Sequence, residues 1–336
     1  MRILNWIFLA VGLAGLAWLI KDVGPSHLEV LLVEVGWWFV VIVGVDLATS
    51  VLDAFALQLY LRPSHIGFGR VLVAMLAGQA INQITPGGTL GEATKASLLA
   101  GQAPHGRVVS AVLLYNLMSL AISLVVLAVG PLIALELIPM EVGVDRMVRI
   151  GCVAMVVAAI GLYWVGRRGV VSTGVAILSH LRIIRLQRAS RWRASAREID
   201  DQIRNYRRER PRDFWVAFSV LALAKVVGGL GLWITLHALG TDASVGFVVA
   251  LVSLGTLVSW ITNVVPFGIG TNEGGDFLLF RALETDGHIG IVLGIIQRLR
   301  KTVMVVLGLA LLALMQARLR RSGPSPIATP ARPGAE

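Results

Sequence analysis

Asn82-Gln83-Ile84-Thr85-Pro86-Gly87-Gly88-Thr89-Leu90-Gly91-Glu92, with Lys95 one turn further on, decides how the rest of the chain is read. It is a polar, glycine-rich interruption among apolar runs. A second copy follows as Asn263-Val264-Val265-Pro266-Phe267-Gly268-Ile269-Gly270-Thr271-Asn272-Glu273. From Asn82 to Asn263, Pro86 to Pro266 and Glu92 to Glu273 the spacings are 181, 180 and 181 residues. Each copy runs amide, proline, glycines, then a glutamate that opens an apolar helix. Within hydrocarbon an unwound backbone persists only where protein or a polar cavity satisfies its N–H and C=O groups. Two interrupted helices in corresponding places point to a binding site between transporter repeats.

The composition sets the solvent. Of 336 residues 56% are hydrophobic and 15% charged, with mean hydropathy +0.77. A soluble domain carries about a quarter charged residues, so the chain reads as an all-α, polytopic integral membrane protein. The single cysteine, Cys152, excludes an intramolecular disulfide framework and a multi-cysteine metal site. It sits in an apolar helix and reads as a small buried hydrophobe. The N-terminal apolar run lacks a small-residue cleavage site and is expected to be a spanning anchor, not a removed signal.

Outward from the two breaks, the expected spans are Ile3–Ile20, Val35–Tyr60, Val108–Leu132, Met147–Gly166, Phe214–Leu239 and Ile289–Met315. Val71–Ile84 and Glu92–Ala100 flank the first break, and Val245–Val264 and Gly274–Leu283 the second. Several of these are shorter than the roughly 20 residues a crossing needs, so each pair reads as a re-entrant hairpin. The result is one transmembrane domain over 1–317, with an inverted repeat of about 1–145 and 146–317. Residues 318–336, rich in Pro, Gly and Ala, are expected to be a disordered cytoplasmic tail.

Charge supplies the orientation. Thirteen arginines against four carboxylates lie between Arg167 and Arg212, a local +9 within a net +10. The aromatic and groove-reading motifs of a nucleic-acid binder are missing, so no nucleic-acid partner is expected. An arginine-rich cytoplasmic loop over 167–212 obeys the positive-inside rule and places both termini in the cytoplasm. Within it Trp192, Ala196, Ile199, Ile203 and Tyr206 repeat at helical spacing. That amphipathic helix lies either on an anionic leaflet or on the protein's own cytoplasmic face.

Glu92 and Glu273 are the central site candidates, because ionisable groups at membrane depth are costly. Capping alone is the competing explanation: Thr89 to Glu92 has capping-box spacing, and a carboxylate at a helix start is favoured by the macrodipole. Arg298, Arg300 and Lys301 interrupt the last span about 15 Å from its start by helical rise, too deep to snorkel. They, with Lys95, either neutralise the glutamates or hold an anionic headgroup. Asp46 and Lys225 occupy equivalent places 179 residues apart, and either pair across the pseudo-symmetry axis or face separate cavities; Asp53 extends the Asp46 face. Asn82, Asn263 and Asn272, with Gln79 and Gln83, serve freed backbone groups or a headgroup. Pro86, Gly87, Gly88, Gly91, Pro266, Gly268 and Gly270 form the turns. No phosphate loop, zinc-binding His pair or nucleophile elbow occurs, so no metal, cofactor or enzymatic activity is expected.

The two breaks together with Gln297-Arg298-Leu299-Arg300-Lys301 resemble the lysylphosphatidylglycerol synthase transmembrane-region family of flippase-like membrane proteins. The second break is similar to its hopanoid-biosynthesis-associated subgroup, with Phe267 standing where glycine is usual. The resemblance covers most of 1–317. It implies a bacterial inner-membrane protein that moves a polar or anionic lipid (phospholipid, aminoacyl-lipid or hopanoid-type) between leaflets, with Glu92, Glu273 and Arg298 at motif positions. Membrane lipids, and lipid-synthesis enzymes, are the partners it implies. The family's full synthases carry a soluble aminoacyl-transferase domain; this chain is expected to end in its tail, so synthase activity is not implied. A membrane-embedded transferase and a non-catalytic scaffold for lipid synthesis are the alternatives.

Overall fold

The computed structural model describes residues 36–85, 90–137, 142–169, 172–173, 186–262, 271–282 and 287–321. Ten α-helices of note, and no strand, occur among the described residues: α1 Trp38–Leu61, α2 Phe68–Ile84, α3 Leu90–Leu99, α4 His105–Leu137, α5 Val142–Arg168, α6 Leu186–Glu209, α7 Pro211–Ala238, α8 Val245–Thr262, α9 Thr271–Ala282 and α10 Gly287–Arg321. Segments expected at Val35–Tyr60, Val71–Ile84 and Glu92–Ala100 appear with ends shifted by three residues or fewer. The expected first span Ile3–Ile20 and the tail 322–336 lie outside the described residues.

Among the described residues, four helices are long and apolar enough to cross a membrane: α1, α4, α7 and the Val292–Ala317 part of α10. Helix α5 has 27 residues, but its described strongly apolar stretch is only Arg149–Ala158. Helices α2, α3 and α9 have 17, 10 and 12 residues, short of a full crossing at about 1.5 Å per residue. Lipid supplies no hydrophobic drive for helix association, so close packing through small residues must do so. The chain follows that rule. A Cβ on Gly308 of α10 would lie 2.5 Å from the Leu76 carbonyl of α2, and one on Gly130 of α4 would lie 2.6 Å from the Ser253 Cβ of α8. On Gly290 of α10 it would lie 2.6 Å from the Asp276 carbonyl of α9.

Helix α1 runs antiparallel to α7 along most of its length. Trp38 meets His237 with ring centroids 5.7 Å apart, a Cβ on Gly231 would stand 3.0 Å from Val45, and Arg62 pairs with Asp213 at 2.9 Å. All three contacts share one register. On this seam sit two further packing layers: α2 with α10 and α4 with α8, α3 lying along α2 and α4, and α9 along α8 and α10. Leu57, Tyr60 and Leu61 of α1, Met75, Leu99, Tyr115 and Phe214 fill an apolar core at one end. Leu236, Phe247, Leu251, Phe280 and Leu293 fill another at the opposite end.

Helix α6, the amphipathic segment of the arginine-rich loop, packs on α4 and α7. Tyr206 is buried in the first core, and its hydroxyl donates to the Leu59 carbonyl at 2.6 Å. Ser110 of α4 donates to Gln202 at 2.9 Å, and the Arg107 guanidinium stands over the Tyr206 ring. Of the two sequence readings, the structure places Ile203 and Tyr206 against protein; the side chains of Trp192 and Ala196 lie outside the described residues. Burial, and next the Asp213 carboxylate, push the Tyr206 phenol up to about 12. A raised pKa means this group's stabilisation is full below pH 10 and lost as pH climbs towards 12. Removing the hydroxyl in Tyr206→Phe costs roughly 1 kcal/mol. Trypsin should cut the arginine-rich α6 about five- to tenfold faster, which limited proteolysis in detergent would measure.

The middle of α6 also reaches the end of α5. Gly169 ends α5 at φ +106°, a conformation that side chains with a Cβ avoid. There Asp200 of α6 accepts the Ser172 amide N–H at 2.9 Å, giving that backbone donor a partner.

Candidate functional site

The first break is bordered by α2 and α3, which touch backbone to backbone. A Cβ on Gly91 would overlap the Gly78 carbonyl oxygen and the Asn82 side chain, and one on Gly78 would meet Lys95 Cγ at 2.5 Å. This closeness lets Asn82 bridge the two helices. Its Oδ1 accepts the Gly91 amide N–H at 2.6 Å, and its Nδ2 donates to Glu92 Oε1 at 3.1 Å.

Glu92 is the hub. Oε1 also accepts from Lys95 Nζ at 2.8 Å, and Oε2 accepts from Asn116 Nδ2 of α4 at 2.7 Å. Three side chains on three helices therefore hold one carboxylate, as a largely enclosed charge requires. Thr89, the other half of the proposed capping box, lies outside the described residues; the carboxylate itself is engaged by side chains. The Lys95 side chain is 3% exposed, with its ammonium 5.1 Å from the centre of the Tyr115 ring, a cation–π placement.

A second polar row runs along α1. Asp46, Ser50 and Asp53 follow at helical spacing and share a face. Asp46 Oδ2 lies 3.0 Å from Arg300 Nε of α10, with Lys301 also acting on it. Ser50 donates to Gln79 of α2 at 3.0 Å. Asp53 lies within hydrogen-bonding reach of the Tyr115 hydroxyl and feels both Lys95 and Lys225. The Asp46–Lys225 pair is thus not formed among the described residues: Asp46 takes Arg300 instead. The α1/α7 register explains it, placing Asp46 across from Gly229 and Lys225 across from Ser50, within a turn of Asp53.

The structure therefore brings Asn82, Glu92, Lys95, Asp53, Asp46 and Arg300 into one polar interior; Arg298 and Lys301, which flank Arg300 on α10, are likewise engaged by partners. Of the second break, Asn263, Pro266, Gly268 and Gly270 lie outside the described residues. Asn272 and Glu273 fall in the first turn of α9, and their side chains are not among those described. Pro86, Gly87 and Gly88 also lie outside. Among the described residues no group of three His, Cys, Asp or Glu side chains could hold a metal ion.

Sequence reading missed Tyr115, Asn116 and Ser50 as members of this interior. A signal existed for Asn116: an amide in the middle of the apolar run Val108–Leu132 is a natural interhelical hydrogen-bond donor. Tyr115 and Ser50 carry no such signal, since both are ordinary in spanning helices.

A bundle of apolar crossing helices around a buried charged interior defines a polytopic helical membrane protein. The chain belongs to the lysylphosphatidylglycerol synthase TM region family, whose model matches residues 5–308. Comparison with curated proteins and with solved structures returns no match.

Proposed function

We propose that this protein is a flippase-like transporter that moves a polar or anionic lipid across the bacterial cytoplasmic membrane, and that it performs no covalent chemistry of its own. One observation carries the reading: amide and charged side chains of three helices hold Glu92 beside the break inside an otherwise apolar bundle, and Asp53 of a fourth feels the same Lys95. Such an interior gives a headgroup partners along a path that hydrocarbon would forbid. The family membership ties it to lipid.

The packing also supports an inverted repeat. Exchanging α1 with α7, α2 with α8, α3 with α9 and α4 with α10 turns the α2–α10 contact into α8–α4, α3–α4 into α9–α10, and α10–α1 into α4–α7, each of which occurs. The α1/α7 seam maps onto itself. In this reading α2/α3 and α8/α9 are re-entrant hairpins, the arginine-rich α6 faces the cytoplasm, and both termini lie on that side. Trp37, Trp38 and Trp233 are exposed at one end, and Trp164 and Trp215 at the other, as interfacial belts would be.

The test is leaflet exchange in proteoliposomes with labelled phospholipids of different headgroup, wild type beside Glu92→Gln. The expected result is headgroup-selective exchange, slowed at least about tenfold in the variant, since a charge-assisted hydrogen bond is worth roughly 1.5–3 kcal/mol. Exchange in Glu92→Gln equal to wild type would overturn the placing of the path at this break. A new lipid product formed by purified protein would favour the transferase, and an intact cellular phenotype in Glu92→Gln/Glu273→Gln the scaffold.

A further inference from the structure

Lys225 stands midway along α7, about 20 Å from its start at roughly 1.5 Å per residue. It is exposed at the side of the bundle, on a helix whose outward residues Val226, Leu230 and Trp233 face lipid. A cation at that depth does not reach the interface by snorkelling, which works near helix ends. Behind it lies Asp53. The shared register of Trp38–His237, Val45–Gly231 and Arg62–Asp213 puts the two within a turn of each other across the α1/α7 seam, and the two charges act on each other. Asp53 in turn feels Lys95, and Lys95 holds Glu92 at 2.8 Å.

The charges therefore alternate from the side of the bundle to the break: Lys225, Asp53, Lys95, Glu92. The row ends inward on a carboxylate held by three donors and outward on an exposed cation. The group that continues the alternation on the lipid side is an anion. We propose that Lys225 is a lateral receiving site for the phosphodiester of a phospholipid headgroup, reached from within the bilayer. Asp53 is the resident carboxylate behind it, which competes with the phosphate for the lysine charge. The Lys225 ammonium has three donors and no acceptor, which suits the oxygens of a phosphodiester. The acyl chains stay in hydrocarbon along α7. The nature of the ligand rests on the lipid-transport reading above; the charge row does not.

Binding is the direct test, because it needs no transport. Native mass spectrometry of the full chain in detergent, titrated with phosphatidylglycerol, phosphatidylcholine or diacylglycerol, reads retained lipid. Wild type should retain both phosphodiester lipids in preference to diacylglycerol. Lys225→Gln should lose about tenfold or more of that preference, the scale of one hydrogen bond to a charged group, and Lys225→Arg should restore it. Asp53→Asn removes the competitor and should raise retention, a sign that mere damage to the bundle would not produce. Retention that ignores Lys225→Gln, or diacylglycerol held as well as the phospholipids, overturns the site. Retention that follows Lys225 while no lipid crosses proteoliposomes overturns the transport reading and leaves the site standing. Exchange that depends on Glu92 with retention indifferent to Lys225 does the reverse.

Discussion

Gly91→Ala should be among the most damaging single-methyl additions to this protein. The added Cβ would occupy the positions of the Gly78 carbonyl oxygen and the Asn82 side chain. Neither is a flexible chain end that can swing away: one is α2 backbone, and the other is fixed by bonds to Gly91 and Glu92. To admit the methyl, α2 and α3 must separate, which breaks the Asn82 bridge and opens the Glu92 cage at once. The expected loss is about 3 kcal/mol or more, at the upper end of overpacking. Thermal unfolding in detergent measures it. Gly44→Ala and Gly228→Ala are the controls, with nothing within 4 Å of the added carbon at either position. There the helix-propensity gain of up to about 1 kcal/mol should leave the midpoint unchanged or raised. Equal melting of Gly91→Ala and these controls would sink the close-crossing account.

Lys95→Met should cost roughly 3 kcal/mol. Removing one member of an enclosed ion pair strands the other, and the general range for that is about 3–5 kcal/mol. The lower value applies because the Glu92 side chain keeps 29% exposure and retains its two asparagine donors. Methionine fills most of the lysine volume, so the change isolates charge from packing. Glu92→Gln added to Lys95→Met should recover a substantial part of the loss, and the double-mutant cycle reads the coupling. Additive losses would mean that the two residues stabilise the protein separately. Added salt should change the coupling little, since an enclosed pair is weakly screened.

Much of this fold was legible in the sequence because membrane helices announce themselves by apolar length and their breaks by Pro and Gly. The seam of α1 with α7 was legible only as a symmetry, through Asp46 and Lys225. The partner of Asp46 was not, because register depends on which small residues meet: Gly231 against Val45 fixes how far the helices slide, and no charge pattern encodes that. Glu92 stood out as a carboxylate beside a break, and Lys95 as its neighbour one turn on. That Asn116 would reach the same carboxylate from α4 required knowing which face of a 33-residue helix, apolar nearly all round, turns inward. The arginine loop was ambiguous for a related reason: an apolar stripe suits a lipid surface and a protein surface alike. The Tyr206 hydroxyl, seated on the Leu59 carbonyl, resolves the part of it that is described.

The crossings at Gly130, Gly290 and Gly308 bear on how the bundle moves. Helices joined by interlocked side chains resist rotation, because each knob must leave its hole before the next position is reached. A glycine laid against a backbone or a single small side chain has no knob to withdraw. Such a contact behaves as a plain bearing: tight across its thickness, low in friction about it. Among the described residues such bearings lie at α2/α10 and α4/α8, while α6 clamps α1, α4 and α7 at the Tyr206 end and the Asp46–Arg300 pair ties α1 to α10.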